Sequence, residues 1–190
     1  MSGDDKRALR ALIGERLAAV TEDERRAWSR AITGRVLASG EYARAGSVFC
    51  YVGRRGEPDT LPLIERMLGE GKRVYLPMPR ERGIMDAVRL LSAAELRPGR
   101  YGILEPLPDG EIAPPEALEL ILVPGAAFDR ALFRLGWGAG YYDRYLTRAR
   151  APALGVAFDC QRVIDVPREA HDRPVDKLVT ERATYGREPE

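Results

Sequence analysis

Three glycines stand at alternate positions, Gly136, Gly138 and Gly140, and Tyr141, Tyr142 and Asp143 follow at once. Alternating glycines let main-chain N–H groups turn inward with no Cβ in the way. A helix beginning behind them adds a partial positive charge. The combination suits an anion, phosphate above all. Arg134, just upstream, can add a charged fork. The paired tyrosines suit stacking on a flat heterocycle. An acid beside phosphates suits a Mg²⁺ held largely through waters. The run matches neither G-x-x-x-x-G-K-[ST] nor G-x-G-x-x-G. By itself it reads as either a phosphate cradle or a flexible turn, with one tyrosine open as core and Asp143 as a helix-start acid.

Other residues could take part. Lys6 and Arg10 lie four apart on one face of an expected helix, which suits either phosphate contact or an ordinary solvated face. Glu57 lies in a loop after an apolar strand, where open α/β sheets bind ligands. A carboxylate there can accept two hydrogen bonds from an aminopyrimidine edge, or be an exposed loop acid. His171, Asp172 and Asp176 form a small group near the C-terminus. His171 is the single histidine and reads as a loop residue; Asp176 reads as a turn cap. Cys50, on an apolar strand, reads as core, and it has no partner at metal spacing with Cys160.

The elements that must hold these groups follow from periodicity. Leu9, Leu12, Ile13, Leu17 and Val20 predict an amphipathic helix over 5–20. Thr21 with Glu24 predicts a capping box and a second helix to about residue 39. Strands are expected at 47–52, 73–76, 85–91, 120–123 and 153–158. A helix is expected over 61–69 with Gly71 closing it, and another in the second half of RLGWGAGYYDRYL. Residues 97–117, rich in Gly and Pro, read as one long loop. The tail reads as a loop and a final short strand. Strands alternating with helices predict an α/β fold with a mainly parallel sheet and helices on both faces.

Composition narrows the function. The chain has 190 residues and a net charge of +1, from 30 basic and 29 acidic residues. A length of this order suits one domain. A dedicated nucleic-acid binder would carry a basic excess, so no nucleic-acid partner is expected. No apolar run approaches the ~18 residues of a membrane span, and the start has no signal-peptide pattern. Free thiols at Cys50 and Cys160 fit a reducing compartment. A cytoplasmic protein is expected.

The run of residues 123–129 (VPGAAFD) with residues 134–143 (RLGWGAGYYD) resembles the signature of the 5-formyltetrahydrofolate cyclo-ligase family. Lys6-Arg-Ala-Leu-Arg10, Tyr101-Gly-Ile-Leu-Glu-Pro106, His171-Asp-Arg-Pro-Val-Asp176 and Thr180-Glu181 agree in order. The resemblance covers roughly residues 5–182. It implies a three-layer α/β fold similar to sugar-phosphate isomerases and CoA transferases. The first helices, 5–39, would pack on the core of a single domain spanning 1–190. It implies an ATP- and Mg²⁺-dependent closure of 5-formyltetrahydrofolate to 5,10-methenyltetrahydrofolate, with release of ADP and phosphate, by a monomer. Carried over residue by residue, Lys6, Arg10, Arg134, Leu135, Gly136, Trp137, Gly138, Ala139, Gly140, Tyr141, Tyr142 and Asp143 would bind ATP. Val52, Glu57 and Tyr141 would meet the folate, Asp143 and Asp172 the metal, and Tyr142 the reacting centre. Some relatives carry a basic residue within the glycine loop, where this chain has Trp137 and Ala139; phosphate charge would then fall on Lys6, Arg10 and Arg134.

The implied chemistry needs no side-chain nucleophile. ATP phosphorylates the formyl oxygen, N10 attacks the resulting N5-iminium phosphate, and phosphate leaves. The protein positions the reactants and neutralises charge, which fits a sequence without a Ser/His/Asp or Cys/His arrangement. Two other readings are a related isomerase or CoA transferase, since fold does not fix function, and a non-catalytic nucleotide-binding protein. A CoA transferase needs an activated glutamate, which no motif marks.

Overall fold

The computed structural model describes residues 3–54, 56–99, 102–138, 140–169 and 172–187. Helices α1 (Gly3–Ala18), α2 (Glu22–Leu37) and α3 (Gly40–Arg44) lead into strand β1 (Ser47–Phe49). Helix α4 (Leu61–Gly69), β2 (Arg73–Pro79), β3 (Met85–Leu90), β4 (Arg97–Pro98), β5 (Leu104–Glu105), β6 (Ile112–Ala113) and β7 (Leu120–Val123) follow. The last third holds β8 (Ala127–Phe128), β9 (Arg134–Leu135), α5 (Tyr141–Leu146), β10 (Ala153–Val156), β11 (Lys177–Val179) and β12 (Thr184–Gly186).

Local chemistry sets several boundaries. Thr21 and Glu24 form the expected capping box: Thr21 Oγ1 accepts from the Glu24 N–H, and the Glu24 carboxylate from the Thr21 N–H at 2.9 Å. Gly71, at φ 76°, ends α4, as the left-handed position there requires. Its N–H bonds Leu68 O, and the Lys72 N–H bonds Met67 O, both at 3.0 Å, which satisfies the last carbonyls of the helix.

Eight strands form one sheet in the order β12-β11-β10-β7-β1-β2-β3-β6. The pairs β1–β2, β1–β7, β7–β10 and β10–β11 are parallel. The two edges are antiparallel. Side chains alternate across the sheet, as strand geometry requires. Val48, Cys50, Leu120 and Leu122 pack with Ile13 and Leu17 of α1, Ile32 of α2 and Ile64 of α4. Phe49, Ile121 and Val123 face the other way, onto Tyr145 and Leu146 of α5. The sheet is therefore covered by helices on both faces, the second only by the six-residue α5 and irregular chain.

Several expectations change, and the strands expected at 47–52 and 153–158 are shorter, Ser47–Phe49 and Ala153–Val156. Residues 97–117 are not one loop: β4 pairs β5 and β6 pairs β3. β2 runs three residues beyond 76, and the tail ends in two strands, β11 and β12. Leu12 is 44% exposed, so only Ile13 and Leu17 of α1 are buried. Among the described residues no helix is long and apolar enough to cross a membrane.

Candidate functional site

The chain leaves β1 towards β2 on one side, and β7 and β10 lie on the other, so the sheet order reverses between β1 and β7. Open α/β sheets bind ligands at that reversal, outside the carboxyl ends of the strands. A cavity of about 470 Å³ lies there, bounded by Val52 after β1, Pro124 after β7, Glu57, Arg134, Trp137 and the 140–143 turn.

Glu57 is fixed by the loop after β1. The Thr60 hydroxyl accepts from the Gly53 N–H at 3.0 Å and donates to Tyr51 O at 2.5 Å. Ser29 Oγ of α2 accepts from the Asp59 N–H at 3.0 Å. The loop passes so close over Gly53 that a Cβ there would collide with the Pro58 carbonyl. The Glu57 carboxylate is only 6% exposed. Its Oε2 accepts from the Arg54 N–H at 3.1 Å and its Oε1 from Trp137 Nε1 at 2.8 Å. Burial raises its pKa above the usual carboxylate range, opposed by the Arg54 N–H, the Arg54 charge and the Trp137 N–H.

Arg134, on β9, has a side chain only 2% exposed and meets Asp143 of α5 at 2.7 Å. Burial lowers its pKa, against the pull of Asp143, Tyr142 and Asp172; a guanidinium keeps its charge under such a shift. Its Nε is buried with no hydrogen-bond partner among the described residues. Tyr142 stacks on Phe49 at 6.1 Å, and its hydroxyl is buried with no partner among the described residues. Burial pushes that phenol well above its ordinary value, so it remains a donor at neutral pH.

Arg10 reaches the glycine loop, with Nε 2.9 Å from Gly136 O. Lys6, one turn earlier on α1, meets Glu169 at 2.7 Å. Gly138 and Gly140, at φ 123° and 66°, take the left-handed backbone that glycine permits. Leu135 is buried in the core, so its part in a ligand site is its main chain. The six residues of α5 make a weaker dipole than a long helix, so an anion there would rest on loop N–H groups and cations. Tyr141 and Val52 line the cavity. Asp172 Oδ2 accepts from the Glu169 N–H at 2.7 Å. Asp176 accepts from the Ala153 N–H at 2.7 Å, a structural cap on β10. Cys50 is buried core, its thiol pushed up to about 12. Tyr101, Ala139 and His171 lie outside the described residues.

Sequence reasoning missed Arg54, whose guanidinium lies 4.3 Å from the Trp137 ring centre, and the apolar wall of Pro77, Pro79, Met85 and Ile103. Arg54 had a signal, its place two residues after Val52. The wall had none, because it depends on β2 running past two prolines.

Among the described residues no three metal-ligating side chains cluster. Mg²⁺ commonly keeps waters and leans on substrate phosphates, needing only one or two carboxylates. Asp143 and Asp172, both acting on Arg134, fit that demand.

A family model described as the 5-formyltetrahydrofolate cyclo-ligase family matches residues 2–181. A 5-formyltetrahydrofolate cyclo-ligase of Escherichia coli strain K12 is 33% identical, over 89% of this chain and 96% of its own. One of Mus musculus is 30% identical, over 93% of both. The solution structure of a 5,10-methenyltetrahydrofolate synthetase of Aquifex aeolicus superposes with a TM-score of 0.86 at 36% identity, covering 97% of this chain and 94% of that one.

Proposed function

This chain belongs to the 5-formyltetrahydrofolate cyclo-ligase family, and from that membership and the cavity between β1 and β7 we infer how it works. It is an ATP-dependent ligase that converts 5-formyltetrahydrofolate to 5,10-methenyltetrahydrofolate, with release of ADP and phosphate. The observation that carries the site reading is one cavity holding a fixed carboxylate, Glu57, and a buried cation, Arg134.

In this reading the pterin edge meets Glu57 and stacks near Tyr141, with Val52 and the Pro77–Pro79–Met85–Ile103 wall excluding water. The nucleotide phosphates lie along residues 134–143, beside Arg10 and Lys6. Arg134 offsets charge on the transferring phosphoryl. The formyl oxygen attacks the γ-phosphorus and ADP leaves. N10 then attacks the formyl carbon, and phosphate departs as the ring closes. The chain's work is to hold the γ-phosphorus in line with the formyl oxygen and N10 close to the formyl carbon. The Tyr142 hydroxyl, a buried donor, can hydrogen-bond the formyl or leaving oxygen. A Mg²⁺ held by Asp143 and Asp172 would neutralise phosphate charge. We take the whole chain, 1–190, as one domain, monomeric and cytoplasmic.

The test mixes pure protein with 5-formyltetrahydrofolate and MgATP and follows methenyl absorbance and ADP. One ADP per methenyl product is expected, and none of either in EDTA. Product formed without nucleotide sinks the reading.

A further inference from the structure

Trp137 belongs to the loop that this reading gives to the nucleotide, yet its side chain serves the folate end. Its indole N–H donates to Glu57 Oε1 at 2.8 Å. The Arg54 guanidinium covers the indole, 4.3 Å from the ring centre, with Nε 3.7 Å from the same Oε1. The Arg54 main-chain N–H holds the other oxygen at 3.1 Å. One of the donors that fix the buried carboxylate is therefore carried by the glycine loop. The indole also forms part of a wall: the cavity of about 470 Å³ and a neighbouring one of about 740 Å³ share Arg54, Glu57 and Trp137 as lining. On either side of Trp137 stand glycines, and the Gly136 carbonyl is held by Arg10 at 2.9 Å.

We propose that Trp137 is a positioning residue that couples the two substrates: nucleotide bound beside Gly136 and Gly138 fixes the indole, and the indole fixes the Glu57 carboxylate for the folate. The inference rests on the folate and ATP reading above. Glycine leaves a loop with wide backbone freedom, so ordering it costs entropy. The first ligand to order the loop meets that cost, and the second does not. The rigid indole transmits the ordering because its N–H has a fixed direction and its face is clamped by Arg54. Coupling of this kind is reciprocal, so folate must tighten nucleotide by the same factor.

The experiment measures the dissociation constant of 5-formyltetrahydrofolate alone and with saturating Mg-ADP, which binds without turnover. For the wild type a tightening of about fivefold or more is expected. Trp137→Phe keeps a flat ring under Arg54 and loses the donor; its ratio should fall to about one. Both constants come from one preparation, so an unfolded fraction cancels, and the wild-type ratio needs no variant at all. A second readout uses Trp28→Phe, which leaves Trp137 the only tryptophan of the two in the chain. Mg-ADP alone should then shift its emission. A wild-type ratio of one, full coupling retained in Trp137→Phe, or emission indifferent to Mg-ADP each overturns the proposal. Turnover of 5-formyltetrahydrofolate by the wild type is the control: its absence sinks the function reading, whereas turnover with unaltered coupling sinks this inference alone.

Discussion

Arg134 Nη1 and Asp143 Oδ1 meet at 2.7 Å, the guanidinium 2% exposed and the carboxylate 24%. The pair joins β9 to α5 across the glycine loop, so the acid proposed for the metal is also the counter-ion of a buried cation. Sequence alone suggests that Asp143→Asn costs metal support and little stability. The geometry revises this. Removing the charge leaves Arg134 buried with less compensation, at a cost of about 3 kcal/mol. Asp143→Asn should therefore lose activity and also melt several degrees lower. Calorimetry beside a Mg²⁺ titration checks both; activity unchanged at limiting Mg²⁺ would remove Asp143 from the metal site.

Glu57→Gln should raise the folate KM and leave ATP affinity nearly intact. An amide presents N–H where the Arg54 N–H and the pterin also donate. A mismatched buried polar pair costs about 1–3 kcal/mol, roughly a five- to 150-fold loss. Titrations of both substrates decide it; an effect on ATP alone contradicts the assignment.

The pH profile follows from the same carboxylate. Burial raises the Glu57 pKa, so protonation, and with it loss of the pterin's acceptor, begins at higher pH than for a free carboxylate. The folate KM should climb as pH falls towards the acid range, and Glu57→Gln should flatten that limb. The stability sign is opposite. A group with a raised folded-state pKa adds stability below its unfolded value and loses it as pH rises through the folded one. Ionised Glu57 is thus a cost to the fold at neutral pH. Kinetics and melting across pH, wild type against variant, test both signs.

Tyr142→Phe removes a hydroxyl that is buried without a partner among the described residues. Such a deletion should leave the melting temperature unchanged or raise it. Turnover should fall by about tenfold or more if the hydroxyl bonds the reacting oxygen, since ~1.4 kcal/mol of transition-state stabilisation is a factor of ten. Full turnover in the variant would exclude that role.

Lys6→Ala should weaken ATP binding with little change in melting. Its partner Glu169 is 59% exposed, and exposed pairs contribute about 0–1 kcal/mol to stability. A lost phosphate contact costs about 1.5–3 kcal/mol. Isothermal titration of ATP against wild type, Lys6→Ala and Arg10→Ala ranks the two cations. Arg10, already at Gly136 O, should matter more. ATP binding equal in all three would leave α1 as a cover only.

What the sequence makes legible is what adjacent residues determine. The Thr21–Glu24 box, the Gly71 stop and the continuous apolar run of β7 are local, and each forms where expected. Pro77 and Pro79 break a strand pattern, so the sequence predicts β2 only to residue 76. They are tolerated because β1 ends opposite Tyr75. Tyr75 O accepts from the Cys50 N–H, so Pro77 and Pro79, in phase with Tyr75, turn their missing N–H to the side where β1 has stopped. The contacts that define the site are not local at all. Trp137 and Glu57 are 80 residues apart. Composition carries no trace of such a pairing, so Trp137 reads as a loop residue for ATP until the fold brings Glu57 to it.

The docking of α1 has a consequence for how the protein is made. This helix precedes its polar anchors by most of the described chain: Arg10 grips Gly136, 126 residues later, and Arg16 donates to the carbonyls of Cys160 and Arg162, 144 and 146 residues on. With synthesis running at about 5–20 residues per second, these polar anchors follow the helix by roughly 6–30 seconds, although the partners of its apolar stripe on α2 and β1 come sooner. Long-range closure of this kind slows folding. Strands β1 and β2 can register earlier, but the contact of Arg10 with Gly136 forms only once residue 136 has been made. A chain cut before residue 134 should then keep β1, β2 and β7 and lack the glycine loop that Arg10 holds.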